Sequence, residues 1–386
     1  MDFDGYWILL ALPLAFGLGW LARGWDLRQW QRERRDSPRA YFKGLNLLLN
    51  EQQDKAIDAF IEAVQQDPDT SELHFALGNL FRRRGEYERA IRVHEHLLQR
   101  GDLPRADRER AQHALAQDFM SAGLFDRAEQ AWRMLEGTPF DTEARLALLT
   151  LYERSRDWRA AVEIAHQLER SGTGSYASRI AHYWCQLAEE ADARQNPAEA
   201  DDALRRAREA APLAARPLVL EGQRARLRGD HAGALQAWGT LLSTHPAAFA
   251  LIAVDYAHSA LAAGQAPSAV DLLQALATRE PAMDVLEALA ALDPSPVARQ
   301  ARVRSLLRQH PSLSAARALL ALQAPTAEPS DGSADHGLIE QALTQAARPL
   351  RRYRCAACGF EAQHYFWQCP GCLSWDSYPP KRLEDL

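Results

Sequence analysis

The chain has 386 residues, 47% of them hydrophobic and 25% charged, with a net charge of −6. That length holds two or three domains, and the composition is ordinary for a folded protein. The acidic balance argues against a dedicated nucleic-acid binder, which needs a basic face to meet phosphates.

The first predicted element is an apolar segment from Gly5 to Ala22, GYWILLALPLAFGLGWLA, with no charged residue. It has about the minimum length for a membrane-spanning helix. Asp2 and Asp4 stand where a cleaved signal peptide would carry Lys or Arg, and no small-residue cleavage site follows. Arg23, Arg28, Arg32, Arg34, Arg35 and Arg39 come next. The positive-inside rule therefore places the N-terminus outside and the remainder in the cytoplasm. Tyr6, Trp7, Trp20, Trp25 and Trp30 suit the two membrane interfaces, and Pro13 sits at a kink that a bilayer helix tolerates. Residues 1–22 are thus read as a transmembrane anchor and 23–36 as a basic juxtamembrane segment.

From 37 to 322 the chain repeats with a period of 34 residues. Gly44, Ala56, Phe60, Ala63 and Pro68 fall at positions 8, 20, 24, 27 and 32 of one unit. This is the small-and-large pattern of the tetratricopeptide repeat. Leu77, Gly78 and Ala90 occupy the equivalent places in the next unit. Spacing then slips, through Ala116, Ala128, Trp132 and Leu135, and through Ala161, Ala165 and Leu168. A fifth unit carries Trp184, Leu187, Ala188, Ala200, Leu204, Ala207 and Pro212. A sixth has Gly222, Gly229, Ala234, Trp238, Leu241 and Pro246, and a seventh Ala257, Gly264, Ala269, Leu273, Leu276 and Pro281. An eighth, degenerate unit ends near Pro311. Small residues let two antiparallel helices cross closely, and large ones fill the neighbouring holes. Gly85, Gly123, Gly229 and Gly264 mark the turns between helices. Stacked units predict an all-α superhelical solenoid that binds other proteins rather than performing chemistry.

Gln323 to Gly337 is rich in Pro, Ser, Ala and Asp and reads as a flexible linker, or else as a surface loop that keeps the following module docked. A short helix near Leu338 to Ala347 then leads through Arg348-Pro349-Leu350-Arg351-Arg352, completing a 323–352 connection.

The last segment, 353–386, holds Cys355-Ala-Ala-Cys358-Gly359 and Cys369-Pro-Gly-Cys372. Two C-x-x-C pairs ten residues apart are a tetrathiolate site for one metal ion. Zinc and iron both accept four thiolates, and the spacing does not choose between them. Gly359 and Gly371 suit the left-handed or close-approach backbone of metal knuckles. The segment is too short for a core of its own, so the ion supplies folding energy, with Phe360, Tyr365, Phe366, Trp367 and Trp375 as shielding. Four thiolates close the coordination shell, so the site is structural or one-electron redox rather than hydrolytic. Reduced thiolates also require a reducing compartment. The fifth cysteine, Cys185, lies in a helical stretch and reads as a small buried hydrophobe.

Three other motifs match known sites only in part. Ser171-Gly-Thr-Gly-Ser175 lacks the Lys and the preceding strand of a phosphate loop and reads as a turn between repeats. His94 and His96 do not form a metalloprotease motif, and His94 holds the large inward position of its unit. Arg82-Arg83-Arg84 reads as a solvated helix end, the alternative being contact with an acidic partner or lipid headgroups. No catalytic or nucleotide-binding arrangement stands out, and no nucleic-acid partner is expected.

The order of anchor, repeats and cysteine quartet resembles the lipopolysaccharide assembly protein B family. The most specific stretches are Asn50 to Ala56, Leu77 to Arg82 with Arg84-Gly-Glu86 and Arg89-Ala-Ile-Arg92, Gly123 to Glu129, and the segments Tyr353 to Phe360 and Cys369 to Cys372. Residues from about Pro246 to Gln323 diverge most. The resemblance implies a rubredoxin-like module with Cys355, Cys358, Cys369 and Cys372 as ligands. It implies a single-pass inner-membrane protein on the cytoplasmic side that is not an enzyme. Its implied partners are the membrane-anchored FtsH protease, the lipid A pathway deacetylase whose degradation it promotes, and an inner-membrane antagonist that senses lipopolysaccharide. Lipopolysaccharide export components would be the partners if the chain were instead a scaffold that directs no proteolysis. A homodimer is left open.

Overall fold

The computed structural model describes residues 42–385, apart from 48, 51, 67–69 and 324–330. The expected anchor, the basic segment and Pro68 lie outside the described residues, among which no helix is long and apolar enough to cross a membrane. The chain forms two compact units, one running to Asp157 with Arg170–Thr173, the other made of Trp158–Glu169 with Gly174 onward.

In the first unit, helical residues 42–47 are followed by α1 (Gln53–Gln66), α2 (Ser71–Arg83), α3 (Tyr87–Gln99), α4 (Arg105–Ala122), α5 (Phe125–Arg133) and α6 (Asp141–Ser155). The repeat pattern works here through steric pairs sixteen residues apart. A Cβ on Gly44 would come within 2.8 Å of the Phe60 ring, and one on Gly78 would collide with the His94 imidazole. Glycine at the crossing thus makes room for the large residue of the facing helix. The turns follow equally directly. Gly85 and Gly123 take left-handed φ values of 81° and 73°. The next amide then reaches five residues back, Glu86 to the Phe81 carbonyl at 2.8 Å and Leu124 to that of Phe119 at 2.9 Å. This is the Schellman closure of a helix end.

His94 is fully buried, and its Nδ1 lies 2.5 Å from Asp118 Oδ2. Asp118 Oδ1 accepts from Arg82 Nη1 at 2.8 Å, and Arg82 also donates to Asn79 and to the Ala114 carbonyl. Arg82 is therefore not a solvated helix end. Its fork satisfies a carboxylate that would otherwise be a costly buried charge.

The second unit begins with α7 (Trp158–Arg170), and the Ser171–Ser175 stretch is the turn between it and α8 (Ala177–Ala193). α9 (Pro197–Ala210), α10 (Ala215–Leu227) and α11 (His231–Thr244) follow. A 3-10 helix (Pro246–Ile252) leads to α12 (Ala253–Ala262), α13 (Ala266–Arg279), α14 (Met283–Leu292), α15 (Pro296–Gln309) and α16 (Leu313–Leu322). A Cβ on Gly222 would overlap the Trp238 indole, repeating the pairing of the first unit. Cys185 is buried, and loss of hydration pushes its thiol up to about 12, so it stays an inert apolar group.

Two expectations change. The helix expected near Leu338 to Ala347 is α17 (Asp331–Leu350) and takes in part of the stretch read as linker. It packs on α16, where the Leu320 carbonyl lies 3.1 Å from His336 Nε2, so tertiary contact carries helix into a segment of low propensity. Pro349, one residue from the end of this helix, lacks the amide that would bond back to the carbonyl of residue 345. The fold is also not wholly α. Strands β1 (Tyr353–Arg354) and β2 (Glu361–Ala362) pair antiparallel, with Tyr353 opposite Ala362, and a 3-10 turn (Leu383–Asp385) closes the described chain.

Candidate metal centre

The β1–β2 hairpin carries the first cysteine pair, and a second loop carries the other. In the first knuckle the Gly359 amide donates to the Cys355 carbonyl at 2.9 Å, and the Cys355 amide to the Phe360 carbonyl at 2.9 Å. In the second, the Leu373 amide donates to the Cys369 carbonyl at 2.8 Å, and the Cys369 amide to the Ser374 carbonyl at 2.9 Å. The two knuckles therefore share one design. Gly359 is left-handed at φ 79°, and the equivalent residue of the second knuckle is Leu373 at φ 60°. Gly371 has the other use expected of glycine, since a Cβ there would press on Phe360 at 3.3 Å.

This geometry brings all four expected ligand sulfurs within 4.8 Å of one another. Cys355 and Cys372 are 3.8 Å apart, and Cys358 and Cys369 3.6 Å. A tetrahedral ion with metal–sulfur bonds of about 2.3 Å demands sulfur–sulfur edges of about 3.8 Å. The donor set and its spacing fit one such ion, with no open position for substrate. Around the sulfurs, Ser377 Oγ lies 3.3 Å from Cys355, Ser374 Oγ 3.3 Å from Cys372, and the Gly371 amide donates to Cys369 at 3.4 Å.

Protons distribute unevenly in this cluster. Loss of hydration opposes ionisation of Cys355, but the Ser377 hydroxyl and nearby backbone amides outweigh it and draw the thiol down to about 6. The Ser374 side chain and amide likewise lower Cys372. At Cys358 the Phe360 amide acts downward, yet burial and the three neighbouring sulfurs push it up to about 12. Four sulfurs this close cannot all ionise unless a cation shares their charge.

The aromatic residues divide their work in a way the sequence did not suggest. Tyr353 and Tyr378 pack the module with Cys355 and Cys369, while Phe360 and Phe366 stay 44% and 37% exposed. Trp375 faces outward and stacks on His182 of α8, with ring centroids 4.7 Å apart and planes at 17°. Trp158 and Tyr183 meet its edge at 6.0 and 5.9 Å. Beside it, Asp376 accepts from His182 Nε2 at 2.8 Å and from Ser178 Oγ at 3.0 Å. Leu251 packs on the cysteine cluster, Arg382 donates twice to Asp284 at 2.7 and 3.1 Å, and Lys381 pairs with Glu280 at 2.9 Å. The Ser314 amide donates to Glu384 at 3.2 Å. The module is therefore seated on groups of α7, α8, the 3-10 helix, α14 and α16, and on Glu280 just past α13. Nothing local in the sequence links residue 182 to 376. The available signal was a Trp-Asp pair just past the second knuckle, too polar and too large for the module's own small core.

Residues 353–379 match the family model of a rubredoxin metal binding domain. Over 382 residues the chain is 30% identical to lipopolysaccharide assembly protein B of Escherichia coli K12, spanning 97% of this chain and 98% of that protein. The protein of the same name from Haemophilus influenzae is 27% identical over 386 residues, spanning 97% of each. Among solved structures, a tetratricopeptide repeat protein from Parabacteroides merdae is similar over 66% of this chain and 98% of its own, at 15% identity and a TM-score of 0.33.

Proposed function

This chain belongs to the lipopolysaccharide assembly protein B family, and from that membership we propose that it is an inner-membrane-anchored, cytoplasmic adapter for regulated proteolysis. In this reading it presents the lipid A pathway deacetylase to the FtsH protease, under restraint by an inner-membrane antagonist. The observation that supports it is colinearity: the match runs through 97% of the chain rather than through the repeats alone. Anchor, repeats and cysteine module then travel as one device. A single-span anchor confines adapter, protease and antagonist to one plane, which raises their effective concentration without new contacts. The repeats supply a protein-binding surface, and the reading assigns them no chemistry. Cys355, Cys358, Cys369 and Cys372 would hold one zinc or iron ion, which supplies a crosslink for a module with little core.

The test is the half-life of the deacetylase in cells with this protein present and then depleted. The expected result is a clear lengthening on depletion. An unchanged half-life rejects the adapter reading and leaves a scaffold for synthesis and export components.

A further inference from the structure

We propose that the cleft between α16, the end of α17 and the metal module binds a small phosphate-bearing anion. Arg317 of α16, Arg348 and Arg351 at the end of α17, and His364 and Arg382 of the module converge on a space of about 340 Å³. Among the described residues, no Asp or Glu lines it. Arg382 is anchored by its two hydrogen bonds to Asp284. Among the described residues, Arg317, Arg348 and Arg351 have no carboxylate within ion-pair distance, although the chain carries 51 acidic residues against 45 basic ones. A helix C-terminus favours basic residues, which accounts for Arg348 and Arg351 singly. It does not account for Arg317 and Arg382 arriving at the same cleft from two other elements.

Converging guanidinium groups repel one another unless an anion sits among them. Their planar forks match phosphate oxygens two at a time. The volume lies at the lower end of small-ligand pockets. It suits a pyrophosphate or sugar phosphate, and not a folded partner. Apart from His364 the lining has no ring among the described residues, so the ligand is recognised by its phosphate rather than by a stacked base.

The experiment uses the full chain in detergent with its metal bound, and calorimetric titration with inorganic pyrophosphate at low salt. Saturable binding is expected, weakened about tenfold or more by Arg317→Gln and by Arg348→Gln with Arg351→Gln, at unchanged melting temperature. The exposed pair Arg304→Gln with Arg308→Gln on α15 is the control and should bind as the parent does. No saturable binding, or equal loss in the control, overturns the site. Glycerol 1-phosphate and a short-chain phosphatidic acid below its micelle concentration then separate two sources of the same chemistry. Tighter binding of the lipid assigns the phosphate to a membrane headgroup, and equal affinity to a soluble metabolite.

Discussion

Gly222 and Gly239 stand on adjacent helices, yet packing constrains them in opposite senses. Gly222 has no room for a methyl group because the Trp238 indole occupies that space, whereas nothing lies within 4 Å of a Cβ built on Gly239. Gly222→Ala should therefore destabilise the second unit by about 1–3 kcal/mol, the usual cost of overpacking. Gly239→Ala should stabilise it by about 0.5–1 kcal/mol, since glycine in a helix interior is the costlier residue. Thermal unfolding of the two variants checks both signs, and equal effects would show that the crossing does not depend on the missing methyl. Gly222 and Trp238 were legible, because a 34-residue period places a small residue sixteen before a large one. Two turns were not. Arg156 at φ 59° and Gln195 at φ 60° take the left-handed role that glycine plays elsewhere. The Asp157 amide still reaches the Tyr152 carbonyl at 3.0 Å, and that of Asn196 reaches Ala191 at 2.9 Å. Their side chains give no such signal, and the hydrogen bond offsets a conformational cost of about 1–2 kcal/mol.

At the scale of elements, the contact between α8 and the loop after the second knuckle carries a charge whose sign can be worked out. Burial raises the Asp376 carboxyl, but the His182 hydrogen bond and charge, with Ser178 and Arg216, bring it below the usual carboxylate range. A depressed acid contributes stability above its unfolded value, near 3.9, and loses it as pH falls through the lower folded value. Asp376→Asn should thus weaken the seated module at neutral pH. The expected size is on the order of 1 kcal/mol, because the side chain is 50% exposed and screened by solvent. Denaturation curves of parent and variant should converge below about pH 4. A constant difference across the acid range would assign the loss to packing rather than to charge. Trp375→Ala removes the stacked ring itself and should cost roughly 2 kcal/mol or more, read by the same unfolding experiment with the ion bound.

For the whole molecule, the ion and the seat on α8 are coupled supports of one module. Cys355→Ser with Cys358→Ser leaves two of four ligands, so metal content should fall to background. Without the ion the module has few buried groups of its own, chiefly Tyr353, Cys355, Cys369 and Tyr378. The expected outcome is loss of order in the module, followed by amide exchange, while the exchange of α9 to α13 is unchanged. An ordered, seated module in the metal-free variant would show that the helices hold it unaided.

By itself the sequence determined the repeats, the crossing glycines, four of the turns and the cysteine quartet. Each is set by residues close in the chain or by a fixed period, so steric and coordination rules apply directly to the letters. Only the tertiary structure decided where the quartet rests, that Arg82 answers a buried Asp118, that α17 begins at Asp331, and that arginines from three elements face one cleft. Those outcomes depend on groups up to 198 residues apart, such as Ser178 and Asp376. Their energies exist only after packing has removed water from between them, and no local pattern records such a pairing.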